Sequence, residues 1–131
     1  MQNLTDFTYM TVIRFTSGQA GYRGIFSLHG NNGWSDWESA EGFTLANHND
    51  AETLVINHRS YGDRTAPMRE DEYMILTMRV NGQNIDIYVN DTLTGTISYD
   101  NAVNVISSNY RFGARYTTAN EADADYAEML L

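Results

Sequence analysis

Tyr73-Met-Ile-Leu-Thr-Met-Arg-Val-Asn-Gly-Gln-Asn-Ile-Asp-Ile-Tyr-Val89 carries two runs of alternating residues around an Asn-Gly pair. Met74, Leu76, Met78 and Val80 recur at every second position, and so do Ile85, Ile87 and Val89. Successive side chains of a strand point to opposite faces, so this period of two predicts strands rather than helix. Asn81-Gly82 offers the two residues that tolerate positive φ in a type I′ turn. The stretch therefore predicts an antiparallel hairpin of Tyr73–Val80 with Gln83–Val89, one face of it in a core. In the first run Tyr73 and Ile75 make the second face partly apolar, which predicts a central place in its sheet.

The same cadence extends along the chain. Further strands are expected near Phe7–Thr16, Tyr22–His29, Gly42–Ala46, Thr53–His58, Leu93–Tyr99, Tyr110–Tyr116 and Ala124–Leu131, about nine in all. Ten glycines punctuate these runs and proline occurs once, at Pro67. Helical propensity is confined to Glu70–Met78, whose second half leads into the hairpin and reads as strand. In the first strand Phe7, Tyr9, Ile13 and Phe15 share one face and Met10 and Val12 the other, so cover on both sides is expected. The fold class is all-β, a two-sheet antiparallel β-sandwich. With no internal repeat or linker, residues 1–131 read as one domain, a candidate module of a longer protein.

Composition narrows the partners. Seventeen acidic residues face eight basic ones, all arginine, and the net charge is −9. Phosphate recognition needs a basic patch, so nucleic acid and anionic membrane surfaces are disfavoured partners. No apolar run reaches the roughly 18 residues of a membrane span, so insertion is not expected. There is no cysteine, which excludes disulfides and thiolate metal sites. A chain of 131 residues buries about two thirds of its unfolded surface and needs no crosslink.

Taken in order, Glu72-Tyr-Met-Ile-Leu-Thr-Met-Arg-Val-Asn-Gly82, Ile85-Asp-Ile-Tyr-Val-Asn90, Tyr110-Arg-Phe-Gly-Ala114 and Asp125-Tyr-Ala-Glu-Met-Leu-Leu131 resemble the second half of laminin-G-like, concanavalin-A-like domains. The likeness covers about the last 60 residues, counted over these segments; the first half matches by strand rhythm. Asp91 stands where the family has a turn glycine, and its short side chain tolerates the left-handed conformation. The resemblance implies a jelly roll whose concave face or rim loops bind glycans or proteins, often with calcium at the rim. Such a scaffold hosts lectins, carbohydrate-binding modules, adhesion domains, glycosidases and viral appendage domains.

Two segments carry the candidate site. Gly30-Asn-Asn-Gly-Trp-Ser-Asp-Trp-Glu-Ser-Ala-Glu-Gly42 holds both tryptophans. Trp34 and Trp37 could offer flat faces to the C–H surface of a sugar while Asn32 and Asp36 take its hydroxyls. The competing role for these tryptophans is to plug the open end of the sandwich. His58-Arg-Ser-Tyr-Gly-Asp-Arg-Thr65 adds Tyr61, Asp63 and Arg64 as a second polar aromatic rim; ordinary turn chemistry explains the same composition. Calcium is a candidate cofactor through Asp50, Asp63, Asp123, Asp125 and nearby carbonyls, but no Asp-x-Asp-x-Asp-Gly loop is present and no ligand set can be named.

Asp123-Ala-Asp-Tyr-Ala-Glu128 has the spacing of the Glu-x-Asp-x-x-Glu motif of laminarinase-type glycosidases. That resemblance would make Asp123 nucleophile, Asp125 helper and Glu128 acid/base, acting about 5.5 Å apart. The first acid is one methylene short. The expectation is therefore a non-catalytic, lectin-like module that binds a glycan or surface polysaccharide, extracellular or at a virion surface. An assembly domain of a virus or phage particle that docks on protein is the alternative, and a glycosidase the third.

Overall fold

The computed structural model describes residues 2–17, 21–29, 43–47, 53–58, 63–101, 105–107, 109–113 and 122–131. Twelve strands lie among them: β1 Gln2–Leu4, β2 Asp6–Phe15, β3 Arg23–His29, β4 Phe43–Asn47, β5 Thr53–His58, β6 Asp63–Pro67, β7 Met74–Asn81, β8 Asn84–Val89, β9 Thr92–Ser98, β10 Val105–Ser107, β11 Asn109–Phe112 and β12 Ala124–Leu130. The hairpin forms, but its turn sits one residue later than the sequence suggests. Asn81 pairs with Asn84, and positive φ occurs at Gly82 and not at Asn81, the pattern of a type II′ turn. The two consecutive positive φ values of a type I′ turn belong instead to the next hairpin, at Asn90 (49°) and Asp91 (65°). Asp91 thus takes the left-handed conformation expected of it.

Two antiparallel five-stranded sheets make the sandwich. One has the order β12-β2-β7-β8-β9 and the other β11-β3-β4-β5-β6, with β1 and β10 pairing apart from both. β7 is central, as its apolar alternate face suggests. The single proline, Pro67, ends β6, an edge strand, where a missing N–H costs no ladder bond. β6 itself was not expected, because Asp63 and Arg64 read as loop. β1 and β10 are also additions, and the residues of Tyr110–Tyr116 beyond Gly113 lie outside those described.

Alternation sets the core. Tyr9, Ile13 and Phe15 of β2, Met74, Leu76, Met78 and Val80 of β7, and Ile85, Ile87 and Val89 of β8 are buried against Phe26, Leu28, Phe43, Leu45, Leu54 and Ile56 of the facing sheet. The Tyr9 and Phe26 rings lie flat on each other, centroids 4.4 Å apart. The expected cover on both sides of β2 is not found: Met10 is 37% exposed, and Ile75 beside it on β7 is 39%. No described layer packs on that face, the usual state of an antiparallel sheet with one face in the core.

Two tyrosines tie the core to alkaline pH. The Tyr9 and Tyr126 hydroxyls are buried, and neither stands in hydrogen-bond geometry with another described residue. Burial pushes the Tyr9 phenol from 10.0 up to about 12, and it raises Tyr126 as well. A raised folded value means that this contribution to stability is complete below the ordinary phenol value and is lost as pH rises through the folded one. Two pKa units correspond to roughly 2–3 kcal/mol. Urea midpoints should therefore fall between pH 10 and 12, over the interval set by the Tyr9 values, and this slope should flatten in a Tyr9→Phe, Tyr126→Phe double variant.

Candidate functional site

Strand direction gathers the loops named by the sequence. β3 finishes at His29 and β4 begins at Phe43; β5 finishes at His58 and β6 begins at Asp63. The register pairs Leu28 with Phe43, Phe43 with His58, and Asn57 with Asp63. The connections 30–42 and 59–62 therefore leave from the same end of one sheet. Four adjacent strands about 4.8 Å apart place their mouths within roughly 15 Å. Asn32, Trp34, Asp36, Trp37 and Tyr61 fall in these connections, outside the described residues. Asp63 and Arg64 are the first two residues of β6, immediately after the second connection.

The other sheet contributes to this rim as well. Phe7, next to the start of β2, meets Phe43 edge to face at 5.7 Å, so β2 begins at the rim and β7 ends there. An open depression of about 330 Å³ is lined here by Asp6, Phe7, Thr8, Arg79, Val80 and Asn81. Asp6 Oδ1 accepts the Gly82 N–H at 3.0 Å, which fixes the turn beside it. Farther across the face, Thr96 donates to Asp86 Oδ1 and Ser98 to Asn84 Oδ1, each at 2.7 Å. Side-chain hydroxyls, amides and carboxylates thus line the outer face near the rim. Alternation in the hairpin leaves the face of Asn84, Asp86 and Tyr88 to water or a ligand, but composition alone does not single these residues out as a site. The signal was present in the alternate positions Asn84 and Asp86.

The outer face of the second sheet is closed at its centre. Ser27, Thr44 and Asn57 stand in register across β3, β4 and β5, and they are buried together with Ala46 and Val55, which lie outside the core cluster. A ligand cannot lie flat on these strands. Among the described residues the outer face of the β12-β2-β7-β8-β9 sheet stays exposed, at Met10, Ile75, Leu93 and Leu130.

The acidic residues do not converge. Asp63 lies at the rim, whereas Thr16 donates its N–H to the Asp123 carbonyl and Asp125 pairs with Arg14 at the opposite end. Asp63 therefore cannot share a calcium ion with Asp123 or Asp125; Asp50 falls outside the described residues. Among the described residues no three His, Cys, Asp or Glu side chains are grouped to hold a metal. Asp123, Asp125 and Glu128 are all exposed. Arg14 occupies Asp125 through Nε at 3.0 Å and through Nη2, and a register shift separates Tyr126 from Glu128.

At that opposite end Asp71 adopts φ 58°. Its N–H reaches Phe15 O at 2.7 Å and its Oδ1 accepts the Ser17 N–H at 3.0 Å. Hydrogen bonds from the Ser17 side chain and backbone hold the Asp71 carboxyl below its usual range. This corner sets the angle at which the chain enters β7 and so positions Tyr73.

No protein-family model matches the chain, and no curated protein matches it in sequence. Its fold is similar to carbohydrate-binding module CBM66 from Bacillus subtilis, with TM-score 0.55 and 14% identity over 98% of this chain and 75% of that one. It is also similar to the CBM40 of Ruminococcus gnavus IT-sialidase bound to α2,3-sialyllactose, with TM-score 0.62 and 14% identity over 94% and 75% of the two chains. The same module bound to α2,6-sialyllactose gives TM-score 0.62 and 13% identity over 96% and 75%. At these identities the likeness is one of fold.

Proposed function

We propose that the chain is a non-catalytic carbohydrate-binding module, a single recognition domain of the laminin-G-like, concanavalin-A-like kind, which holds a neutral glycan at the rim. The observation that carries this reading is the convergence of connections 30–42 and 59–62 at one end of the β3-β4-β5-β6 sheet. The described strand ends that flank the segments of Trp34, Trp37, Asn32 and Asp36 and of Tyr61, Asp63 and Arg64 lie at one end of the sheet, which supports a shared site. Aromatic faces beside hydroxyl-binding groups are what a sugar ring requires. The CBM66 and CBM40 structures lend support as carbohydrate-binding modules on the same scaffold, two of them in complex with sialyllactose. For this chain a net charge of −9 favours a neutral ligand over an acidic one. Its setting is extracellular or at a virion surface, where polysaccharide is met.

A glycan array that includes neutral and sialylated saccharides tests the reading. Hits among neutral glycans are expected, with single-site affinity weak and gains on multivalent presentation. Silence across all neutral saccharides would refute the proposal.

A second reading has an observation of its own. Leu130, Met10, Thr77, Tyr88 and Leu93 stand in register across β12, β2, β7, β8 and β9, and Leu93 and Leu130 are more than half exposed. Such an apolar band on an open sheet suits docking on protein, as in an assembly domain of a virus or phage particle. Solution mass by light scattering separates the two: self-association without sugar binding would favour assembly.

A further inference from the structure

A second cluster, far from the rim, combines the same chemical elements. Tyr73 precedes β7 at the opposite end of the sandwich, and eight residues separate it from Asn81, about 26 Å along a strand. Tyr73 is 57% exposed. The Arg14 guanidinium lies over it, 5.3 Å from the ring centroid. Arg14 is held in turn by Asp125: Nε donates at 3.0 Å and Nη2 donates to the same oxygen, Oδ2. Among the described hydrogen bonds nothing engages Asp125 Oδ1 or Arg14 Nη1. One carboxylate acceptor and one guanidinium donor therefore remain beside an exposed aromatic ring.

Three elements make this arrangement. Arg14 comes from β2 and Asp125 from β12, paired opposite each other, and Tyr73 is positioned by the Asp71 corner, whose backbone and carboxylate are tied to Phe15 and Ser17. Ile75 and Val12, in register one step along the strands, continue the surface with apolar side chains. Arg14 offsets Asp125 and Arg69 meets Glu72 at 3.3 Å, while the Asp71 carboxylate, which also acts on Arg14, adds a negative charge that would repel an anionic ligand. A neutral ligand therefore meets no net repulsion here.

We infer that Tyr73, Arg14 and Asp125 form a second saccharide-binding subsite, whose ligand is a neutral sugar with two adjacent hydroxyls. The sugar packs its C–H surface against the exposed edge of Tyr73, on the side where Arg14 and Asp125 stand, so that one hydroxyl donates to Asp125 Oδ1 and its neighbour accepts from Arg14 Nη1. The inference rests on the carbohydrate-binding reading and extends it: with sites at both ends, one chain can bridge two polysaccharide strands. Bridging raises avidity without any new contact.

The test uses the full chain with soluble β-glucan, mannan, xylan and inulin, in affinity electrophoresis and in light scattering. Wild type is expected to be retarded by at least one of them and to raise its scattering. Tyr73→Ala should remain retarded, three- to tenfold more weakly, and lose the rise in scattering; Tyr73→Phe, which keeps the ring, should retain both. Trp34→Ala should leave residual retardation that disappears in the Trp34→Ala, Tyr73→Ala double variant. Because Tyr73 is exposed, its variants should melt like wild type. If wild type is retarded but Tyr73→Ala is indistinguishable from it, or if Trp34→Ala alone removes all retardation, the second subsite is overturned while the rim site stands. If no polysaccharide retards the wild type, both proposals fall.

Discussion

Phe26→Ala is expected to lower the free energy of unfolding by about 3–5 kcal/mol, the usual cost of removing a large buried aromatic side chain. Phe26 is fully buried. It lies flat on Tyr9 of the opposite sheet, with an interplanar angle of 9°, and its centroid is 5.4 Å from that of Phe112 on β11. Removing it leaves a void between the sheets and abolishes two ring contacts, each worth roughly 0.5–1.5 kcal/mol beyond area burial. A domain is stable by only about 5–15 kcal/mol in total, so the loss is a large share. Urea denaturation should show a lower midpoint with an unchanged slope, and Phe26→Leu should cost less than half as much. A loss below about 1 kcal/mol would mean that the ring does not bridge the two layers.

The largest functional effect is expected at the rim. Trp34→Ala should weaken binding of an array-positive neutral oligosaccharide at least tenfold by titration calorimetry, about 1.4 kcal/mol or more. Tryptophan faces carry a disproportionate share of binding energy where they are desolvated against a ligand. Tyr61→Ala, on the second connection, should weaken it less. A melting curve of Trp34→Ala separates the two roles open to this tryptophan. A ligand-stacking residue loses affinity at constant melting temperature; a plug of the sandwich loses stability and keeps affinity.

The fold was legible where a period of two coincided with one-sided burial. Met74, Leu76, Met78 and Val80 announced β7, and Ile85, Ile87 and Val89 announced β8, because every second residue had to be apolar. Turn type was less legible. Asn-Gly at 81–82 has the composition of a type I′ turn, yet pairing continues through Asn81, and the two left-handed residues are Asn90 and Asp91. Both pairs tolerate positive φ, and the choice between them is made by strand register, a property of the partner strand. β6 was hidden for a related reason: Asp63-Arg-Thr-Ala-Pro67 has little β propensity, and its strand state comes from pairing with β5. The open outer face of β2 was misjudged because Met10 and Val12 are apolar. An apolar side chain signals burial only weakly, since much of any protein surface is apolar.

The site was legible as composition and not as geometry. Sequence could name Trp34, Trp37 and Tyr61 as sugar-binding residue types, but it could not bring 30–42 and 59–62 to one end. That follows from the up-and-down order of β3, β4, β5 and β6. Arg14, Tyr73 and Asp125 are far apart in the chain, and pairing across β12-β2-β7 makes them neighbours. The glycosidase spacing at Asp123, Asp125 and Glu128 shows the converse. Its residues match a motif, but Arg14 holds Asp125 and a bulge interrupts the strand before Glu128.

Both tryptophans of the chain lie between residues 30 and 42, so tryptophan emission reports on this rim connection and on no other part of the molecule. The most direct test of the rim site is therefore an emission titration of the wild-type chain with an array-positive neutral oligosaccharide. A saturable change, with a midpoint equal to that from calorimetry, is expected. Heat of binding with flat emission would contradict the account, because the sugar would then be held away from Trp34 and Trp37.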